Sequence, residues 1–244
     1  MTATEAELRI QLAACYRIFD HMGWSEMIYN HITVKIPGDD EHFLINPYGL
    51  HYTEVTASNL VKVDIQGNKV DDSPYAVNPA GLVIHTAIHA ARPDIHCIAH
   101  THTTEGMAVA CSEEGLRTDN FYSALLNNRI AYHDFEGITV MDDEKPRLVK
   151  SLGDKNILIL RNHGLLVGGR SVPEAFQTLW GLQRACEVQV ATDATGKAPI
   201  LIKDEVLAKT AQLLNLQAMG GPAGALEFNA LTRVIEKIDP SYKE

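Results

Sequence analysis

The chain has 244 residues, enough to bury a full hydrophobic core as one large domain. Its 21 Lys and Arg against 31 Asp and Glu residues leave a formal charge of −10, which argues against a long contact with nucleic acid or with an anionic membrane surface. No apolar run reaches the ~18 to 20 residues of a membrane span, and the first residues lack the basic and apolar regions of a secretion signal, so a cytoplasmic protein with neither class of partner is expected.

From Glu5 to Met22 the apolar residues Leu8, Ile10, Leu12, Cys15, Ile18 and Phe19 recur at near-helical spacing, which predicts a helix stopped at Gly23. Two short β-rich runs follow, from His31 to Pro37 and from Phe43 to Pro47, divided by a turn at Gly38-Asp39-Asp40, and a third runs from Leu60 to Ile65 before the turn at Gly67-Asn68. Antiparallel pairing suits such short links. A helix is expected from Leu82 to Ala91, stopped by Arg92-Pro93, then a strand over His96 to His102 and a helix from Thr104 to Cys111.

Strands are predicted at Arg129 to Tyr132, Asn156 to Arg161 and Gly164 to Gly169, with a short helix from Glu144 to Leu152 interrupted early by Pro146. Ser171 caps a long helix with Pro173 in its first turn, running to Asp193 with Phe176 and Trp180 as core residues. Further helices are expected from Asp204 to Ala218 and from Leu226 to Ile238, separated by a break at Gly220 to Gly224. Neither a repeat nor a dividing linker is present, so one α/β domain over residues 1–244 is expected, its core at about 8–195 and its C-terminal helices at about 204–238. Cys15, Cys97, Cys111 and Cys186 lack paired close spacing and read as buried thiols rather than as a disulfide or zinc framework.

The unusual count is eleven histidines, of which His85, His89, His96, His100 and His102 fall in one short stretch. Alternation along a strand turns His100 and His102 to the same face, close enough to share a divalent ion. His163, at the end of the predicted strand from Asn156 and followed by a glycine that permits an abrupt backbone change, supplies a third imidazole if the strand ends converge. Three neutral imidazoles suit zinc, with manganese, iron or cobalt as alternatives. A bare His-x-His also serves as a solvent-facing or hydrogen-bonded pair, and spacing alone leaves both readings open. His85 and His89 lie one helical turn apart and read as hydrogen-bonded side chains turned to the sheet rather than as a second metal pair.

The stretches Arg92-Pro-Asp-Ile-His-Cys-Ile-Ala-His-Thr-His-Thr and Leu158-Ile-Leu-Arg-Asn-His-Gly-Leu-Leu resemble the two signature segments of the class II aldolase and adducin family. The resemblance covers roughly Leu8 to Thr195. It implies a three-layer α/β/α sandwich around a mixed, mainly antiparallel sheet, and assembly as a homotetramer whose sites borrow residues from a neighbouring subunit. It also implies a zinc ion on His100, His102 and His163 that stabilises an enolate in carbon–carbon bond cleavage.

The departures from the family's enzymes are as informative. Where the sugar-phosphate aldolases carry a Ser-Ser-Glu segment that holds phosphate, binds metal and moves a proton, this chain has Pro79-Ala80-Gly81. A non-phosphorylated keto- or hydroxy-acid is therefore expected, cleaved by decarboxylation or retro-aldol chemistry, neither of which removes a carbon-bound proton. Asn30 is a candidate for binding an anionic group or a turn residue. Glu105 is a candidate metal ligand or acid/base, with a solvated helix-start glutamate as the alternative. Tyr122, beside Phe121 at the position of the aldolases' catalytic tyrosine, is a candidate proton donor, as is Tyr242. The segments Ile130 to Ile138 and Ala185 to Val190 are more similar to the adducin head and its bacterial relatives, which implies the alternative of a free-standing, non-catalytic oligomeric scaffold; the ending Asp239-Pro-Ser-Tyr-Lys-Glu carries no basic cluster.

Overall fold

The computed structural model describes residues 3–217 and 222–244. Helix α1 (Glu5–His21) opens on a capping box in which Thr4 accepts from the Glu7 amide and Glu7 accepts from that of Thr4, two otherwise unmet donors satisfied reciprocally. Strands β1 (His31–Ile36), β2 (Asp39–Ile45) and β3 (Val61–Asp64) then form an antiparallel meander. Helix α2 (Pro79–Ala91) leads to β4 (Cys97–Thr101) and α3 (Thr104–Cys111). After α4 (Phe121–Leu125) come β5 (Ile130–His133), α5 (Lys145–Leu152), β6 (Ile157–Leu160) and β7 (Gly164–Gly169). The chain continues with α6 (Val172–Asp193), α7 (Asp204–Gln217) and α8 (Ala225–Ile238).

The seven strands form one sheet in the order β3-β2-β1-β4-β7-β6-β5. All pairings are antiparallel except β5 with β6, so the sheet is mixed and mainly antiparallel, as expected. Alternation along the strands sorts two cores. Ile32, Val34, Cys97, Ala99, Ile157, Ile159, Leu165 and Val167 pack with α1, α3, α6 and α8, whereas Ile98, Leu158, Leu160 and Leu166 pack with Ile84 and Ile88 of α2 and with Leu148 and Leu152 of α5. Tyr16 ties α1 to the sheet: its hydroxyl accepts from the Ile32 amide at 2.7 Å and lies 2.9 Å from Asn46 Oδ1.

Several boundaries differ from the sequence reading for local reasons. Helix α2 begins three residues before Leu82, because Asn78 accepts from the Ala80 amide at 3.1 Å and Pro79 has a backbone preset for a first turn. Pro146 likewise starts α5 instead of interrupting it. Strand β2 starts at Asp39, within the expected turn, and α4 has no counterpart among the predicted elements; it is one turn closed by Asn120 and Ser123. Cys111 is exposed, not buried, since the inward face of α3 is carried by Gly106, Val109 and Ala110 and the next residue turns away. The predicted end of α7 at Ala218 and the first glycines of the predicted break lie outside the described residues. Among the described residues no helix is long and apolar enough to cross a membrane.

Candidate functional site

The centre of the sheet brings the two histidine segments together. His100 sits on β4, on the α2 side of the sheet, and β4 pairs with β7 so that His100 lies opposite Leu166 and Thr101 opposite Leu165. His102 is one residue past the strand, yet its Nε2 is 2.8 Å from that of His100. His163 stands in the turn between β6 and β7, with its ring centroid 4.8 Å from that of His100 and 4.9 Å from that of His102. One ring nitrogen from each of the three lies within 4.8 Å of the others. Zinc–nitrogen bonds of about 2.0–2.1 Å place tetrahedral donors roughly 3.4 Å apart, so small ring rotations are enough to close all three on one ion.

Protonation and tautomer fit the same use. The Leu165 carbonyl can only accept, so His100 Nδ1 carries the proton across their 2.9 Å hydrogen bond and Nε2 presents its lone pair to the other two rings. Burial, reinforced by the neighbouring imidazoles, holds His100 well below the ordinary histidine range; burial lowers His102, and burial with the nearby His102 brings His163 to about 4. All three are neutral at pH 7, the form a metal binds.

The glycine after His163 acts differently from its expected role. The left-handed residue of the turn is Asn162, at φ 57°. Gly164 is needed for proximity: a Cβ there would stand 2.4 Å from the Thr101 carbonyl oxygen and 3.1 Å from His102 Cδ2. The missing side chain is what lets the turn press against the end of β4 and bring His163 to the pair.

A cavity of about 480 Å³ opens over the three imidazoles, walled by Tyr29, His31, Tyr48, Pro79, Ala80 and Phe135. The first turn of α2 is thus part of the site although it has no carboxylate or hydroxyl to offer there. Gly81 is buried, and its Cβ would meet the His31 ring at 2.7–3.0 Å. His31, which lies opposite His100 across the β1–β4 pair with ring centroids 5.1 Å apart, was missed as a site residue by sequence reasoning. Only the strand order, which places the start of β1 beside the end of β4, reveals it.

The other candidates lie elsewhere. Asn30 is buried, with Nδ2 donating to the Trp24 carbonyl at 3.0 Å and Oδ1 without a partner among the described residues, a placement that suits the turn-residue reading. Glu105, in the first turn of α3, accepts from Gln183 of α6 at 3.2 Å and is outside both the imidazole group and the cavity wall. Tyr122 packs edge-on against Trp180 at 5.5 Å and beneath the Arg184 guanidinium. Tyr242 is fully buried in the C-terminal turn Pro240–Lys243. The described chain by itself brings none of these four to the imidazoles. His85 and His89 do turn to the sheet, hydrogen-bonded to β1 residues as expected.

Comparison with known proteins agrees with the fold. The family profile of the Class II Aldolase and Adducin N-terminal domain matches residues 10–190. A crystal structure of an aldolase II superfamily protein from Pseudomonas syringae superimposes with a TM-score of 0.92 at 46% identity, covering 100% of this chain and 98% of that one. L-fuculose 1-phosphate aldolase from Glaciozyma antarctica gives 0.86 at 30% identity over 100% and 96% of the two chains. Rat alpha-adducin is 44% identical over 247 residues, spanning 96% of this chain and 34% of its own length. With the profile covering most of the sequence and the neighbours matching it end to end, the chain belongs to the class II aldolase and adducin family.

Proposed function

We propose that the chain is a divalent-metal-dependent carbon–carbon lyase, folded as one domain, that acts on a small non-phosphorylated keto- or hydroxy-acid in the cytoplasm. The observation that carries this reading is the convergence of His100, His102 and His163 at the floor of a cavity whose α2 wall is made by Asn78, Pro79, Ala80 and Ile84, with Gly81 buried against the His31 ring. When bound, a divalent ion, zinc by the chemistry of the donors, supplies Lewis-acid polarisation of a carbonyl oxygen. The residues themselves do the rest. His100 is locked by Leu165 in the ligating tautomer, and the apolar first turn of α2 offers no hydroxyl to a phosphate. Absence of a carboxylate at Gly81 favours decarboxylation or retro-aldol cleavage over proton abstraction from carbon.

Elemental analysis of protein purified without chelator is expected to find about one divalent ion per chain. The His100→Ala/His102→Ala variant should lose both the ion and any cleavage activity towards a panel of keto- and hydroxy-acids. Full occupancy in that double variant would sink the assignment. A second reading, a non-catalytic oligomeric scaffold of the adducin-head type, is favoured by the 44% identity to alpha-adducin. Metal-free protein with an undiminished oligomer and no cleavage of any acid would select it.

Both readings include assembly as a homotetramer. Supporting this, Phe135, Ile138, Val140 and Met141 are exposed together in the loop at the cavity mouth, an apolar patch that association of copies would cover. Sedimentation equilibrium should give about four times the 26.9 kDa chain mass; a monomer at micromolar concentration would refute the assembly.

A further inference from the structure

A second group of histidines lies just behind the imidazole site and is fully hydrogen-bonded into a line. His89 Nδ1 is 3.3 Å from the Ile95 carbonyl, and His89 Nε2 is 2.8 Å from Thr33 Oγ1. Thr33 Oγ1 is 2.6 Å from His85 Nδ1, and His85 Nε2 is 2.8 Å from His31 Nδ1. His31 and Thr33 are alternate residues on one face of β1, while His85 and His89 are one turn apart on α2, so the two elements are joined by this line of polar contacts between buried residues.

The direction of every bond in the line follows from its first member. A carbonyl oxygen only accepts, so His89 Nδ1 carries a proton and its Nε2, in a neutral ring, accepts. Thr33 must then donate its single proton to His89, which leaves the Thr33 oxygen to accept from His85 Nδ1. His85 Nε2 is in turn an acceptor, and His31 Nδ1 donates to it. His31 Nε2 is therefore left with a bare lone pair. Burial keeps the two α2 rings neutral, with His89 at about 3 and His85 also well below the ordinary range.

That lone pair is placed for use. His31 belongs to the cavity wall with the three convergent imidazoles but is not one of their group. Among the described residues its Nε2 has no hydrogen-bond partner, and it lies beside Gly81, where a Cβ would come within 3.0 Å of it. A side chain at 81 would press on this edge of the His31 ring, which lines the cavity.

We infer that His31 Nε2 is a specificity-determining hydrogen-bond acceptor for a hydroxyl group of the bound acid, with Thr33, His85 and His89 acting as positioning residues that fix its tautomer. The inference rests on the proposed function and narrows its substrate class to 2-keto acids that carry a donor hydroxyl further along the chain. A ligand without that hydroxyl leaves a buried acceptor unpaired, which costs about tenfold or more in affinity.

Binding of hydroxypyruvate and 4-hydroxy-2-oxobutanoate, each against its deoxy partner pyruvate or 2-oxobutanoate, tests this by calorimetry on the zinc-loaded full chain. At least one hydroxylated acid is expected to bind about tenfold tighter than its partner, with the preference abolished in His31→Phe at unchanged zinc occupancy. Thr33→Val should reduce the preference and Thr33→Ser should restore it. Nitrogen-15 spectra of histidine-labelled protein give an independent readout, with His31 expected to carry its proton on Nδ1 in the wild type and to lose that fixed state in Thr33→Val. A protonated Nε2 in the wild type, no preference in either pair, or a preference that survives His31→Phe would each overturn the inference. Hydroxyl-selective binding with no cleavage would instead leave it standing while removing the lyase reading.

Discussion

Gly164→Ala is expected to destabilise the protein by about 2–4 kcal/mol and, at the proposed metal site, to weaken zinc binding by about 10- to 100-fold. The added methyl would stand 2.4 Å from the Thr101 carbonyl oxygen, an atom fixed by the β4–β7 ladder, so relief requires the strands to part and not merely a side chain to turn. His102 Cδ2 at 3.1 Å and His100 Cε1 at 3.4 Å are the next atoms met, and the displacement therefore reaches the imidazoles directly. Denaturant unfolding and competition with a chelator of known affinity measure the two effects. A wild-type midpoint in the variant would show that the strand ends separate without cost and that proximity does not explain the glycine.

A comparable effect is expected from acid. In chelator-treated protein at fixed concentration, stability should fall as pH drops from about 6.5 toward 3, because the unfolded chain takes up protons on histidines that the folded chain keeps neutral. Burial, with the nearby Lys35 charge, holds His89 at about 3, so its share of the loss is on the order of 4–5 kcal/mol, fully incurred only once pH has passed below the folded value. His85 and His31 are lowered by burial and add in the same direction. Above about 6.5 both states are unprotonated at these sites and the contribution is level. His89→Gln retains a polar side chain without a titrating ring and should reduce the slope of stability against pH by about one proton. Equal slopes in the two proteins would show that His89 is charged in the native state.

Much of this site could be read from the sequence where the information is local. Strand alternation places His100 and His102 on one side, and the prolines, cap residues and apolar periodicity mark most elements to within a few residues. What could not be read depends on contacts between distant segments. The Pro79 start of α2 is set by the Asn78 cap, and that turn becomes a cavity wall only because α2 covers the β1–β4 face. Gly164 reads as a backbone hinge until the strand beneath it is known, whereupon its role becomes close approach and Asn162 takes the left-handed position. Glu105 illustrates the converse: three residues from His102 in sequence, it is carried by the turn of α3 towards Gln183 and away from the imidazoles. His31 had no local signal, since its partners come from α2 and β4.

The interleaved strand order also has a kinetic consequence. The His100-His102 pair and His163 come from segments about sixty residues apart, and they meet only when β7 has docked on β4 at the middle of the sheet. Closing so long a loop is a slow, entropically costly event that precedes any reward from an ion bridging the two segments. An ion with three ligands available only after docking cannot act as a nucleus in the way it does in a small metal-dependent finger. On the proposed reading, an ion on these ligands would stabilise the finished structure by mass action, and that stabilisation should be read in the unfolding limb of the kinetics, as a native state that opens more slowly with added zinc while the rate of its formation stays the same.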